Sequence, residues 1–261
     1  MKTIILCCRM ARLLSLLFLG ACASKPAKPP LAPSISSAES NAQPWPTRPS
    51  LDEILKQAAA KPPLPFEGEG WQPMFDGKTL TGWRETDFAG HGEIQCQFGL
   101  IILNTGDPFT GINWTNEPPK MNYELALDAM RVTGSDFFCG ITGPVGTNFC
   151  SLIVGGWGGS LLGISSLDSM DASENETTKF MNFEQDRWYR IRLRVTDGRI
   201  EAWIDKEKLV DVNTTGKRIS VRPGDIELSR PFGLSAWQTT AALREIRMRA
   251  VSGPADPPKR E

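Results

Sequence analysis

Residues 188–205 decide the fold, and they read WYRIRLRVTDGRIEAWID. Apolar side chains alternate with charged or aromatic ones through both halves, which is typical of a half-buried β-strand. An Asp-Gly dipeptide between the halves is a favoured two-residue hairpin loop. This turn would set Arg194 opposite Glu201 and Arg192 opposite Trp203, so that one face pairs opposite charges and lays a cation over an indole. The stretch therefore predicts an antiparallel hairpin whose polar face is either solvated or a ligand-binding surface.

Further strands flank this hairpin in the sequence. Residues 123–132 alternate apolar and polar side chains, and residues 232–237 and 243–251 have the pattern of a closing hairpin. The chain of 261 residues holds 24 glycines and 20 prolines and shows no long helical periodicity, which suits many turns between short strands. We therefore predict an all-β, antiparallel β-sandwich over residues 71–252. The formal net charge of -1 gives no reason to expect a nucleic-acid partner.

The N-terminus has the pattern of an exported lipoprotein. Basic residues precede the apolar run 13–19, which is too short to span a bilayer as a helix. Leu-Gly-Ala then leads directly into Cys22, in the manner of a bacterial lipobox. We predict that residues 1–21 are a signal peptide and that Cys22 carries lipid such as palmitate. The lipid would hold the protein on a membrane of the bacterial cell envelope, in the periplasm or at the cell surface. The alternative is an ordinary signal peptide with a chance cysteine.

A proline-rich segment precedes the predicted sandwich. Residues 22–70 contain 10 of the 20 prolines, and Ala, Ser and Lys supply most of the other positions. Such a composition buries little surface, so we predict that these residues form a disordered tether. One short helix is expected within it at 50–60, because Ser50 and Glu53 have the spacing of a capping box. Residues 253–261 are predicted to be a disordered tail.

Three cysteines lie in the predicted sandwich. The hairpin expected over residues 137–154 has a Gly-Pro-Val-Gly turn, and symmetry about its Pro-Val pair would set Cys139 opposite Cys150. Directly opposed residues of an antiparallel pair have Cα atoms roughly 4.5–5.5 Å apart, which is within disulfide range. Export would permit the bond, so these two residues are either a disulfide or two buried thiols, and Cys96 stays free.

Two segments carry side chains suited to sugar chemistry. Four glycines surround Trp157, so its indole is either presented to a sugar ring or buried in a tight bend. Residues 168–178 are the densest acidic stretch and have the composition of a loop. This loop either is solvated, supplies carboxylates for acid–base work, or holds calcium, although ordered EF-hand spacing is absent. The candidate catalytic residues are Asp128, Asp136, Asp168 and Asp171, and the candidate substrate-binding residues are Trp157, Glu174, Asn175 and Trp237.

Metal and triad chemistry have little support in the sequence. His91 is the only histidine, which excludes a zinc site built from several histidines. A Ser-His-Asp triad would have to use it, yet no nucleophile elbow lies nearby. We therefore predict no metal site and no cofactor, and we expect a carbohydrate and a membrane as partners.

Residues 75–83, which read FDGKTLTGW, resemble the opening motif of the 3-keto-disaccharide hydrolase family. The hairpin of residues 188–205 resembles one shared by that family and by laminin-G-like sandwiches. Gly233-Leu234 and residues 243–247 resemble the family's closing strands. The likeness extends over residues 71–251, and it implies a concanavalin-like jelly roll with a sugar site on the concave face.

The resemblance also implies an activity, the cleavage of glycosides already oxidised at carbon 3. A ketone acidifies the neighbouring C–H bond, so that a base removes that proton, the aglycone leaves and water adds back. Asp128 matches a strand acid of the family, and Asp136 lies near its polar turn. The family's Glu-x-Gln sequence has no counterpart here, because residues 150–156 contain no acid.

Three functions therefore stay open at the level of sequence. The first is a membrane-anchored hydrolase that acts on 3-keto-glycosides or 3-keto-disaccharides. The second, which the missing Glu-x-Gln favours, is a non-catalytic carbohydrate-binding module or a surface adhesin. The third is a structural lipoprotein of the cell envelope with no pocket.

Overall fold

The computed structural model describes residues 47–252, and the chain from Arg48 onward forms one unit. Helix α1 spans Leu51–Ala60, and a short 3-10 helix spans Asp225–Ser229. The strands are β1 Gln72–Pro73, β2 Trp83–Glu85, β3 Ile94–Gln97, β4 Leu100–Leu103, β5 Phe109–Trp114, β6 Tyr123–Gly134, β7 Cys139–Val145, β8 Asn148–Gly156, β9 Leu161–Ser165, β10 Lys179–Phe180, β11 Tyr189–Thr196, β12 Arg199–Ile204, β13 Glu207–Asn213, β14 Gly233–Trp237 and β15 Thr239–Ala250.

Several predicted features lie outside the described residues. They are the signal peptide 1–21, the lipidated Cys22, the tether as far as residue 46, and the tail 253–261. Of the helices within residues 47–252, none has the length and apolar composition needed to cross a membrane.

The strands form two antiparallel sheets. Sheet A has the order β13-β12-β11-β6-β15-β4-β3, with β1 added beside β15, and sheet B has the order β10-β9-β8-β7-β14-β5-β2. Apolar side chains from both sheets form the main core, among them Leu125 and Leu127 of β6, Ile141 of β7 and Leu152 of β8. Removal of this apolar surface from water is the largest favourable contribution to such a fold. The predicted all-β antiparallel sandwich, of the concanavalin-like jelly-roll class, is confirmed.

Strands β11 and β12 form the hairpin predicted from residues 188–205. Arg194 lies opposite Glu201, and Arg192 lies opposite Trp203. The guanidinium carbon of Arg192 is 4.4 Å from the centroid of the Trp203 ring. Arg194 forms an ion pair with Glu201 at 3.7 Å. The alternation of side chains and the Asp-Gly turn thus predicted the correct register.

The outer face of sheet A is covered by helix α1. The side chain of Ser50 accepts the backbone N–H of Glu53, while the Glu53 carboxylate accepts the backbone N–H of Ser50, so the capping box is complete. The buried side chains Ile54, Leu55 and Ala58 pack against Leu100, Ile102, Met130, Val132 and Ala242 of sheet A. This packing makes the helix part of the sandwich.

Residues 61–71, here called the strap, cover the arginine-rich part of the same face. The ring centroid of Phe66 is 4.0 Å from the guanidinium carbon of Arg190 and 4.7 Å from that of Arg247. Arg190 also donates to the carbonyl oxygen of Leu64 at 2.8 Å. The polar face of the hairpin is therefore occupied by the chain itself. The predicted disorder of the tether is wrong from Arg48 onward. The composition of this segment could not reveal that arginines of sheet A hold it in place.

The predicted closing hairpin at residues 232–251 is wrong. Strand β14 pairs with β5 and β7 in sheet B, whereas β15 pairs with β6 and β4 in sheet A. Gln238 connects them with a φ of 45° and donates its backbone N–H to the carbonyl of Pro108. An alternating strand suits either sheet of a sandwich, so the pattern alone could not distinguish a hairpin from a crossover.

The predicted opposition of Cys139 and Cys150 is also wrong. Strands β7 and β8 pair in a register that places Cys139 opposite Val154 and Cys150 opposite Gly143. Cys150 is four residues from Val154 along β8, which corresponds to about 13 Å, well beyond disulfide range. Both thiols are free and buried, as is consistent with the alternative of two buried thiols.

Candidate functional site

A cavity of about 440 Å³ opens at one end of the outer face of sheet B. Sheet B contributes side chains that point away from the main core, and the connections around it supply the rest. The lining residues are Phe109, Asp136, Phe137, Ile153, Trp157, Ser165, Arg222, Pro223, Gly224, Asp225, Ile226 and Trp237. Apolar walls with a few polar groups are the usual composition of a small-molecule site.

Aromatic rings form one wall of this cavity. Trp237, at the end of β14, meets Phe109 of β5 edge to face with 4.5 Å between ring centroids. Phe137 packs against Phe109 at 5.9 Å. The predicted substrate-binding residue Trp237 therefore lines the cavity, while the two phenylalanines were not singled out from the sequence.

Trp157 is presented to solvent at the rim of the cavity. Trp157 is 42% exposed, and its backbone has a φ of 49°, in the left-handed region. Gly158 follows with a φ of 81°, a conformation that costs a glycine little. Of the two interpretations of this glycine-rich stretch, the structure thus shows the presented indole.

Arg131 holds the ends of the Trp157 loop from inside the protein. Its guanidinium donates to the carbonyl oxygen of Gly155 at 3.1 Å and to that of Gly159 at 2.8 Å. A third bond goes to the carbonyl oxygen of Phe183 at 3.2 Å. Burial lowers the pKa of Arg131, and the charge of Asp136 opposes that shift. A buried cation that bonds to carbonyls fixes the position of the loop.

Asp136 lies in the connection between β6 and β7 and binds the Trp157 loop. Its Oδ1 accepts the backbone N–H of Phe137 at 2.7 Å, and its Oδ2 accepts that of Gly158 at 3.1 Å. Asp136 lines the cavity, as a candidate catalytic residue should. Both of its oxygens are nevertheless engaged by the backbone, which fixes the orientation of the carboxylate.

The opposite wall is formed by residues 222–226, which sequence reasoning missed. Arg222 pairs with Asp171 at 2.7 Å, and the Oδ1 of Asp171 accepts the hydroxyl of Ser165 at 2.5 Å. Asp225 is exposed to the cavity, and within residues 47–252 its carboxylate has no hydrogen-bond or ion-pair partner. The signal available in the sequence was a Pro-Gly pair flanked by an arginine and an aspartate.

Asp128 lies far from this cavity in the fold, on the outer face of sheet A. Its carboxylate pairs with Arg190 at 2.5 Å and with Arg244 at 3.2 Å, and its side chain is almost fully buried beneath the strap. Both carboxylate oxygens are therefore paired with arginines. The structure does not bring Asp128 together with Asp136.

Three further predicted residues take part in the loop of residues 168–178. Asp168 is exposed and accepts the backbone N–H of Arg218 at 2.8 Å. Glu174 is exposed, and its Oε2 accepts the backbone N–H of Asp171 at 3.3 Å. Asn175 is buried, and its amide donates to the carbonyl oxygens of Ile164, Met170 and Asp171. These contacts shape the loop, and none of the three lines the cavity.

A metal-binding cluster is not present in the part of the chain that the structure describes. Within it, no three His, Cys, Asp or Glu side chains converge closely enough to hold an ion. The carboxylates and the amide of the acidic loop instead form hydrogen bonds with backbone N–H and carbonyl groups.

Comparison with known proteins links this sandwich to carbohydrate chemistry. A family model described as the 3-keto-alpha-glucoside-1,2-lyase-like domain matches residues 70–249. No curated protein matches the sequence.

Similar folds occur in solved structures. A Bacillus subtilis protein with a galectin-like fold is 11% identical, with 70% of this chain and 96% of that chain covered and a TM-score of 0.51. A candidate glycosyl hydrolase from Parabacteroides distasonis is 15% identical, with 76% and 97% covered and a TM-score of 0.46. The Bacillus licheniformis β-glucanase is 10% identical, with 72% and 100% covered and a TM-score of 0.46. At these identities the likeness concerns the fold.

Proposed function

Because this chain belongs to the 3-keto-alpha-glucoside-1,2-lyase-like domain family, we propose that it cleaves glycosides already oxidised at carbon 3. This is the family whose opening motif residues 75–83 resemble. The chain is accordingly a carbohydrate-active β-sandwich domain. The cavity on sheet B is the proposed site. The observation that carries the proposal is a partner-free carboxylate, Asp225, in the same cavity as the exposed indole of Trp157. A structural lipoprotein without a pocket would not need this arrangement.

The proposed reaction needs a base beside an aromatic platform. The flat face of a sugar would lie on Trp157, and the Asp225 carboxylate would take the proton from carbon 2, next to the ketone. The electron pair of that C–H bond would pass into an enolate, and collapse of the enolate would expel the aglycone oxygen from carbon 1. The aglycone would take up a proton, and water could then add to carbon 1. Asp136, fixed by two backbone N–H groups, would shape the Trp157 side of the site.

Release of a chromogenic aglycone tests the proposal. A 4-nitrophenyl 3-keto-glucoside would be incubated with the wild-type chain, with Asp225→Asn and with Glu227→Gln. Glu227 lies on the same 3-10 helix, outside the cavity lining, and is the matched control. Loss of a general base lowers kcat by about 10²–10⁴-fold, so Asp225→Asn should lose activity while Glu227→Gln keeps it. Equal rates for all three proteins would remove Asp225 from the mechanism.

A non-catalytic sugar-binding domain is the second candidate function. It is favoured by the Asp136 carboxylate, because both of its oxygens are already occupied by backbone N–H groups. A binder would quench Trp fluorescence on addition of an unoxidised glucoside and would release no aglycone from the keto form. A Trp157→Ala variant should abolish that quenching. The control Trp188→Phe should keep it, because Trp188 packs against helix α1 on the opposite sheet.

We further propose that the sandwich is held on the bacterial cell envelope by lipid on Cys22. The supporting observation is the apolar run 13–19 followed by Leu-Gly-Ala-Cys. Labelled palmitate should enter the wild-type chain and a Cys96→Ser control, and both should partition into detergent. A Cys22→Ser chain that still takes up label would contradict the anchor.

A further inference from the structure

Arg222 is the only cation among the described residues that line the sheet B cavity. It lies two positions before Gly224 and three before Asp225, so the proposed base and this guanidinium share one short segment. The guanidinium carbon is 5.7 Å from the centroid of the Trp157 ring. The side chain therefore reaches across the mouth of the cavity.

Asp171 and Ser165 hold this arginine in place. One guanidinium nitrogen, Nη1, lies 2.7 Å from Oδ2 of Asp171. The other carboxylate oxygen accepts the Ser165 hydroxyl at 2.5 Å and the backbone N–H of Ala172 at 2.7 Å. Ser165 is buried at the end of β9, so the contact extends from the sheet to the arginine.

The guanidinium has donors left for a ligand. Arginine carries five N–H donors, and within residues 47–252 the contact with Asp171 is the one ion pair or hydrogen bond that Arg222 forms. Its remaining N–H groups are exposed at the cavity. A cation that is oriented by a carboxylate and keeps free donors is suited to an oxygen that gains negative charge.

Removal of a proton beside a ketone creates such an oxygen. As the base takes the carbon 2 proton, the C–H electron pair forms a C2–C3 double bond and the C3 oxygen becomes an enolate. When this electron pair returns, a C1–C2 double bond forms, the C1–O bond to the aglycone breaks and the ketone is restored. No electron acceptor is needed, because the substrate enters already oxidised.

We infer that Arg222 is a catalytic residue that stabilises the C3 enolate, and that Asp171 and Ser165 are its positioning residues. This inference rests on the proposed function and assigns a second chemical role within the same cavity. Asp171, a predicted acid–base residue, then has a different role, because both of its oxygens bind donors and orient the guanidinium.

Proton exchange separates this step from aglycone release. A 3-keto-1,5-anhydroglucitol has no aglycone to expel, so deuterium uptake at its carbon 2, followed by NMR in D₂O, reports enolate formation alone. The full-length wild-type chain should catalyse the exchange. Arg222→Gln should slow both exchange and kcat for the 4-nitrophenyl substrate by about 10²–10³-fold, as for loss of one oxyanion donor, with a smaller change in KM.

Two further variants address positioning. Asp171→Asn keeps the shape of the side chain but removes the charge that orients the guanidinium. We expect kcat to fall about tenfold, which is less than the roughly 10²-fold cost of displacing a group by 1 Å. Added guanidinium ion should partly restore Arg222→Ala, which a purely structural defect would not allow. Arg218→Gln is the matched control, because Arg218 is exposed on the neighbouring segment and contacts Ser169.

The outcomes distinguish this inference from the proposed function. If the wild-type chain releases aglycone and exchanges the proton, but Arg222→Gln does both at the wild-type rate, the role of Arg222 is refuted while the activity stands. If the wild-type chain does neither, the proposed function fails and the inference falls with it. Lowered exchange in Arg222→Gln with guanidinium rescue in Arg222→Ala supports the assignment.

Discussion

Replacement of Arg131 by methionine tests whether a buried cation holds the loop that presents Trp157. The change removes three charge-assisted hydrogen bonds, to the carbonyl oxygens of Gly155, Gly159 and Phe183. Bonds from charged donors contribute roughly 1.5–3 kcal/mol each, so the gross loss from three bonds is about 4.5–9 kcal/mol. Methionine recovers several kcal/mol because it does not bury a charge. We therefore expect the free energy of unfolding to fall by about 2–4 kcal/mol.

Urea unfolding followed by Trp fluorescence measures this change, and in thermal unfolding it corresponds to a decrease in Tm of roughly 5–15 °C for a domain of this size. Amide hydrogen exchange in residues 155–159 should rise more than exchange in the β11–β12 hairpin. Arg131→Lys is the matched variant for comparison. It keeps the positive charge but lacks the planar guanidinium that donates to three carbonyl oxygens. If Arg131→Met were as stable as the wild type, or if exchange in the loop were unchanged, the reasoning about this cation would be refuted.

Three further predictions follow from packing. Burial raises the pKa of the Cys150 thiol to about 12 and raises that of Cys139 still further. Both therefore stay protonated at pH 8, and peptide mapping should find iodoacetamide on Cys96 before either; early labelling of Cys139 would contradict its burial. Gly82→Ala should lower the free energy of unfolding in urea by about 1–3 kcal/mol, because residue 82 has a φ of 84° and a Cβ would lie 2.6 Å from the Trp114 ring; an unchanged midpoint would contradict both the backbone strain and the close contact. Phe66→Ala should release the strap and speed cleavage after Glu67 by a glutamate-specific protease about tenfold, from loss of roughly 1–2 kcal/mol of contact with two arginines; cleavage at the wild-type rate would mean that the strap is held elsewhere.

The parts of the fold that follow from local pattern were predictable from sequence. The β11–β12 hairpin needs only alternation and an Asp-Gly turn, both of which lie within 18 residues. The cysteine register failed because Pro144 was placed in the turn. It lies instead inside β7, past the stretch of residues 140–142 that pairs with β14, where a missing N–H does no harm.

The candidate site was only partly predictable, because it is assembled from distant segments. Asp136, Trp157 and Trp237 could be chosen for their chemistry, and they do line one cavity. Arg222 and Asp225 lie in a connection whose position over sheet B depends on the tertiary fold. Asp128 attracted attention as a strand acid, yet its two arginine partners come from β11 and β15, and no local signal reveals such pairs.

The crossover at Gln238 has a consequence for how the protein is made. The last strand, β15, lies between β6 and β4 in the interior of sheet A. Until residues 239–250 have been synthesised, β6 has no neighbour on that side and the two halves of the sheet stay unjoined. Such late, long-range pairing slows folding. Nascent chains should therefore stay loosely packed until synthesis is nearly complete, and a stop codon shortly before Thr239 should yield a product that proteases degrade.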